Sequence, residues 1–436
     1  ELPLAIGGSS LDISGSFKSL DSESRLDLLL EGMIDLEDIP AYRDAQRPSS
    51  GKAEFNASIK GSPANPEAEL ELSLQDGVIW GTPLNRLHAN IRFSELTAGI
   101  DSLEAESPAG SLTASGNVDF TEALPRGVLS RDVQLDQLGY SLEITSSRLQ
   151  LQELLKPDSS YQGTVDGIVT LEGRGVYPGR ISSRIEASLD RVRILASPME
   201  RPTTASVELS GRAEGTELFL DSLEIKSPEM VLSGNGEFDT ENKDVQGSLS
   251  LSSSSLNELF SLLGIDQVDG EGTLDISVKG TFDRPEAEIR ATGKELLAYG
   301  SRAESLNFRA GLRSSGMLEI EELVIENPGA EAEITGQLPL LIVIDGKFPG
   351  LNSDPLLDLE GTLNDYRLSD IRETDDVRAL IDGTFRAAGY ASSPVIEANL
   401  EIAPLLIGGR EIESASGTVR YSEGTIETDR LRNRKN

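Results

Sequence analysis

The 436-residue chain has no cysteine, one histidine, one tryptophan, and only eight tyrosines and 11 phenylalanines. Without cysteine there is no disulfide, no thiolate nucleophile and no cysteine-held metal. With His88 alone, any histidine triad, proton relay or zinc site must use that residue or not exist. Carboxylates are abundant, but 74 of them produce close pairs by chance, so neighbours such as Asp375 and Asp376 mark nothing. No catalytic residue, metal site or cofactor is expected, and the chain is not expected to be an enzyme.

Positive charge is also short: 39 Lys and Arg against 74 Asp and Glu give a net charge of -35. Phosphate recognition needs clustered cations, and the only basic run is Arg430, Arg432, Arg434 and Lys435, so a nucleic-acid partner is excluded. Long apolar runs are missing too. The longest, Leu338 to Ile344, has seven residues with Pro339 inside it, whereas a spanning helix needs about twenty. Residues 1–8 lack the basic start of a secretory leader. The expectation is a soluble protein or a soluble piece of one.

What is present is self-similarity. Hydrophobic residues at 37% together with 42 glycines suffice for a folded core. Four segments place a glycine five residues before a proline: Gly61 and Pro66, Gly173 and Pro178, Gly280 and Pro285, Gly389 and Pro394. The glycines are spaced by 112, 107 and 109 residues. A second landmark alternates with the first, in LEAESPAGSLTASG, LEIKSPEMVLSGNG and LVIENPGAEAEITG. Each copy has a leucine five before the proline (Leu103, Leu223, Leu323) and a glycine eight after it (Gly116, Gly236, Gly336). Two independent landmarks define a period near 110 residues. The chain divides into a partial leading repeat at 1–33, full repeats at 34–147, 148–253 and 254–366, and a truncated fourth at 367–436, forming one continuous array.

Each repeat reads mainly as strand. Ala68, Leu70, Leu72 and Leu74 alternate with Glu67, Glu69, Glu71 and Ser73, and Ile396, Ala398, Leu400 and Ile402 repeat the pattern. Period two means one apolar and one wet face. The second copy departs, with its apolar residues at odd offsets from Pro178 (Ile181, Ile185, Ala187, Leu189), which asks for a bulge or a longer loop. A short helix is expected before each landmark glycine. The clearest has Ser255 as cap and Leu256, Leu259, Phe260 and Leu263 on one face; weaker ones contain Leu151, Leu154 and Leu155, then Leu368 and Ile371, then Leu36 and Ile39.

An apolar strand face can be buried in a sandwich, coiled into a solenoid or left as an open trough. Plain core is the ordinary fate of alternating aliphatics. Scarce rings and an aliphatic inner parity suit flexible hydrocarbon chains better than a defined small molecule. Landmark parity places Leu70, Leu72, Leu74, Ile91, Phe93, Leu103, Leu112, Leu223, Ile225, Ile289, Ala291, Leu323, Ile325, Ile334, Ala398 and Leu400 on one apolar surface. His88, in LHANIRF, falls on the wet parity as a surface histidine. Trp80 shares the parity of Val78 and is expected to point inward.

The recurring phrase is a glycine and proline followed by an alternating strand, then an LxIxxP-type strand and a GxG-type return. With SSSSLNELFSLLGIDQVDGEGTLDISVKG before it, this phrase resembles the TamB and AsmA-like family of Gram-negative envelope proteins from about Ile34 to Glu427. The resemblance implies an elongated, mainly β, taco-shaped sheet with an open apolar groove and short helices between repeats. It implies a periplasmic, bridge-like carrier of phospholipid between inner and outer membranes, with the listed aliphatic residues as the groove lining. It also implies an inner-membrane anchor N-terminal to this segment and a C-terminal domain that meets an outer-membrane barrel protein, both absent here. A chaperone receiving outer-membrane strands by strand addition and a dry structural stalk remain the alternatives.

Overall fold

The computed structural model describes residues 2–20, 23–38, 49–79, 81–150, 161–177, 179–196, 203–257, 268–298, 301–339, 356–367, 377–390, 393–407, 410–422 and 424–434. These residues are nearly all strand. Short 3-10 turns at Leu36–Asp38 and Leu135–Gln137 interrupt them, as does a helical start at 256–257. That start covers the first residues of the helix expected after Ser255. Leu259, Phe260, Leu263, Leu151, Leu154, Leu155, Leu368, Ile371 and Ile39, which define the expected helices, lie outside the described residues, as does Trp80.

The chain forms two compact units, Glu1–Leu223 and Glu224–Asn436. The first contains β1 (Leu2–Ile6), β2 (Ser9–Leu20), β3 (Glu23–Asp35), β4 (Lys52–Ser62), β5 (Asn65–Ile79), β6 (Thr82–Ser94), β7 (Thr97–Ser107), β8 (Gly110–Asp119), β9 (Gly139–Gln150), β10 (Tyr161–Arg174), β11 (Ser182–Ala196) and β12 (Thr203–Glu214). Next comes β13 (Glu217–Lys226), within which the division falls. The second unit contains β14 (Met230–Asp239), β15 (Asp244–Ser253), β16 (Val268–Thr281), β17 (Arg284–Ala298), β18 (Ser301–Leu312), β19 (Met317–Asn327), β20 (Ala330–Pro339) and β21 (Leu356–Arg367). It ends with β22 (Val377–Tyr390), β23 (Val395–Ile407), β24 (Arg410–Ile412), β25 (Ser414–Ser422) and β26 (Thr425–Arg434). From β1 to β12 each strand pairs antiparallel with the next in sequence. The same holds from β14 to β26, except that β23 takes β24 on its last residues and β25 on the rest.

This meander follows from the punctuation of the sequence. Gly61 and Gly280, with φ of 91° and 104°, sit directly across the ladder from Pro66 and Pro285. They close two-residue turns at Pro63-Ala64 and Phe282-Asp283. The glycine and proline spaced by five are thus a cross-strand pair at a hairpin mouth. In the second copy Gly173 stays in the ladder opposite Ser183, and the connection lengthens to residues 175–181. A bulge follows between Leu189 and Val192. The shifted parity from Ile181 to Leu189 comes from the longer connection, since the bulge lies beyond these residues.

The second landmark builds a bulge. In β7 the register slips between Ile100 and Leu103, opposite Gly116 and Ala114; in β19 it slips between Ile320 and Leu323, opposite Gly336 and Ile334. The extra residue kinks the strand, and the facing glycine adopts φ 142° at Gly116 and 136° at Gly336. A Cβ on Gly336 would lie 2.2 Å from the carbonyl oxygen of Asp358, closer than side chains tolerate. By contrast Gly329, at φ 78°, has nothing within 4 Å of its would-be Cβ.

Gly336→Ala should therefore lower the urea midpoint by more than Gly329→Ala. The first adds a backbone collision to the left-handed penalty, and the second carries only the penalty of about 1–2 kcal/mol. Equal losses in the two variants would mean that the Asp358 carbonyl does not approach Gly336 this closely.

Candidate functional site: the apolar face of the sheet

Residues directly opposite in an antiparallel ladder point to the same face, so the registers trace the face strand by strand. In the first unit one row runs Leu11, Gly32, Phe55, Leu72, Ala89, Leu103, Ala114, Ile144, Val169, Ala187 and Leu209. No polar side chain interrupts it from β2 to β12. A parallel row holds Leu70, Ile91 and Ile100, continuing through Gly116, Leu142, Leu171 and Ile185. Another holds Leu74, Leu87, Ala105 and Leu112. Phe93 stands between Ala68 and Ala98.

The second unit repeats the arrangement. Its longest row is Leu232, Leu251, Leu274, Ala291, Phe308, Leu323, Ile334, Gly361, Phe385, Ala398 and Val419. Ile289 sits one row away, between Ile276 and Ala310. Ile325 and Leu400 share a third row with Leu306, Ala332, Leu363 and Gly383. Leu223 and Ile225 alternate along β13 and are half-buried. The structure thus brings most of the aliphatic residues chosen by parity into a few rows in each unit. Other row members were missed, notably Ile144, Leu251 and Phe308. Their signal was the same alternation, but it lies in strands that carry neither landmark.

This face is only half covered. Among the described residues Leu74 is the one large side chain that is fully buried, at 1% exposure, and it packs with Leu36 and Ala53. A second small cluster joins Ala330, Ala332 and Tyr366. Leu70, Leu72, Ile91, Phe93, Leu103, Leu112, Ile289, Ala291, Leu323, Ile325, Ile334 and Leu400 are all half-buried, while Ala398 is buried. Two rings close gaps in the rows. A Cβ on Gly32 would meet the Phe55 ring at 2.9 Å, and one on Gly361 would meet the Phe385 ring at 2.5 Å, so each ring lies across its opposing glycine.

The other face is ionic. Arg386 donates two hydrogen bonds to Asp358 Oδ1, at 2.9 and 3.1 Å. Arg313 pairs with Glu319 at 2.6 Å, Arg309 with Glu322 at 3.2 Å and Arg92 with Asp101. Those hydrogen bonds, and then the partner's charge, hold the Arg92, Arg313 and Arg386 guanidinium groups above their ordinary pKa. His88 lies here, with Nε2 3.1 Å from Asn90 Nδ2, and Asn90 also donates to Ser102 Oγ at 3.1 Å. Asp119 closes β8, where the Thr121 side chain and then its backbone N–H keep the carboxylate below its usual range. A shallow concavity of 430 Å³ on this face is lined by Glu333, Glu360, Thr384, Arg386 and Glu397. No cluster of acidic or histidine groups suited to a metal ion occurs among the described residues.

Comparison with family models, with curated proteins and with solved structures found no match to this chain. No helix among the described residues is long and apolar enough to cross a membrane.

The burial difference along the face has a direct consequence. Leu74→Ala should cost about 2–5 kcal/mol, the range for a large side chain deleted from a packed site. Leu70→Ala, half-buried on the same strand, should cost about 1 kcal/mol. Urea denaturation of the two variants measures this, and similar losses would mean that Leu70 is as enclosed as Leu74.

Proposed function

We propose that the chain carries the acyl chains of phospholipid along its aliphatic face. The observation that supports this reading is the unbroken apolar row, which crosses strand after strand in each unit while most of its side chains keep part of their surface exposed. A closed core would bury them, and a small-molecule site would interrupt them with convergent polar groups. Exposing two acyl chains of about sixteen carbons each to water costs on the order of 25 kcal/mol at about 0.8 kcal/mol per CH₂. An aliphatic track removes most of that cost and holds no point tightly. The setting that fits is the Gram-negative periplasm, as part of a bridge of the TamB and AsmA-like kind. There an inner-membrane anchor and an outer-membrane barrel protein would engage the two ends through segments outside this chain.

The test is a charge placed on one face or the other. Ile289→Glu puts a carboxylate on the apolar face, where desolvation opposes any acyl chain lying over it; Thr292→Glu puts the same charge on the exposed ionic face. Native mass spectrometry of the purified chains should find copurifying phospholipid on the wild type and on Thr292→Glu, and at least about tenfold less on folded Ile289→Glu. Equal lipid on both variants, or none on the wild type, overturns the carrier reading. Bound peptide in place of lipid would favour the strand-receiving chaperone.

A further inference from the structure

Aromatic side chains are scarce in this chain, yet within each unit the exposed ones gather at one end of the strands. In the first unit this end carries the C-terminal end of β2, the turns between β4 and β5 and between β6 and β7, and the long connections at 120–138 and 175–181; in the second it carries the turn between β16 and β17 and the C-terminal end of β22. Phe17 is 60% exposed, Tyr177 50%, Phe282 43% and Tyr390 56%. Each lies in or within four residues of a connection at that end. Leu129 and Ile426, at 67% and 68%, are there too. Of the large apolar side chains exposed among the described residues, all but Leu29, Ile168, Val231 and Leu297 share this position. In each unit the opposite end holds a buried cluster, and among the described residues it has only Val231 and Leu297 as exposed large apolar side chains.

Charge accompanies the rings in both signs. Beside Tyr177, Arg180 pairs with Asp136 at 3.6 Å; beside Phe282, Lys243 pairs with Asp283 at 3.4 Å. Arg174 pairs with Glu122 at 2.5 Å in the same region of the first unit. The side chains of Arg174, Glu122, Lys243 and Asp283 are more than half exposed.

We infer that this rim of each unit is a docking edge for the interface of a zwitterionic phospholipid bilayer. Within each unit the exposed rings are six to eight strands apart, roughly 30–40 Å along the sheet, so they reach the rim at separate points with charged groups between them. A protein partner needs a contiguous, shape-matched apolar centre. A laterally fluid interface does not, and it is where amphipathic rings partition. Paired charges of both signs complement a headgroup that itself carries both. The rim offers no excess of cations to select anionic lipid, and a chain of net charge -35 is repelled by an anionic surface. This inference stands apart from the carrier reading, because the four exposed rings are at strand ends and not in the apolar rows described above.

Flotation of the full chain with phosphatidylcholine vesicles tests it. The wild type should float with phosphatidylcholine and less with phosphatidylglycerol. Serine at Phe17 and Tyr177 in the first unit, or at Phe282 and Tyr390 in the second, should lower the floated fraction, with at least about a tenfold weaker partition when all four are replaced. Serine at Leu29 and Leu297, each 40% exposed but away from the rim, should leave flotation unchanged. All sites in the serine variants are on the surface, and a β-type circular dichroism spectrum checks that they fold. Absence of flotation by the wild type overturns the inference. So does equal loss from the rim and control variants, or a preference for phosphatidylglycerol.

Discussion

The alternation of side chains across a pleated strand is the constraint from which the rest follows. Once Leu72 points to one face, its neighbours Glu71 and Ser73 must point to the other, and pairing passes the choice on to Ala89 and Leu103. Each added hairpin therefore extends an apolar face and an ionic face together. An apolar face is ordinarily buried against a second layer. Here the rows remain half-exposed, so the free energy holding each unit together comes largely from ladder hydrogen bonds and from cross-strand contacts within one layer. Two rings folded across glycines, Phe55 over Gly32 and Phe385 over Gly361, add apolar contact where a row would otherwise have a gap.

Most of this face was legible in the sequence because period two is a strong signal wherever a strand is uninterrupted. The wet position of His88 and the apolar position of Leu70 both follow from it. What was less legible lies at the irregularities. Ile100 and Leu103 are three apart and yet share the apolar face, because a bulge between them resets the alternation; simple counting assigns them opposite faces. The bulge itself left a trace in the sequence, the glycine eight residues after the landmark proline, but its meaning becomes clear only when Gly116 and Gly336 are seen opposite the slip. Coverage was not legible at all. Leu70 and Leu74 look alike in sequence, and Leu74 alone is enclosed because Leu36, on a distant connection, returns to pack on it.

The two ends of the strands differ in cover. At Leu36 a long connection returns toward the strands, shields apolar residues and creates a small core. At the other end of the first unit's strands the long connection at 120–138 buries Ala123 but leaves Leu129 exposed. Such an end would ordinarily be polar, since turn residues favour Gly, Pro, Asn and Asp. Phe282 within a two-residue turn and Tyr390 at a strand terminus run against that tendency: Phe282 tilts one side of its ring onto Phe238, with 6.0 Å between centroids, and both side chains still keep much of their surface in water.

The acidic excess completes the argument. A sheet with a partly exposed aliphatic face would associate with any similar surface it met, including its own copies. The ionic face answers this through charge, not cover. Its arginines are paired, as Arg386 is with Asp358 and Arg313 with Glu319, and these exposed pairs contribute little to stability individually. What remains after pairing is a surplus of carboxylates, and their mutual repulsion works against stacking of one molecule on another. An uncharged hydrocarbon chain feels no such repulsion. On the proposed reading, the same charge that keeps proteins apart leaves the aliphatic face accessible to a partner that is apolar and neutral along its length.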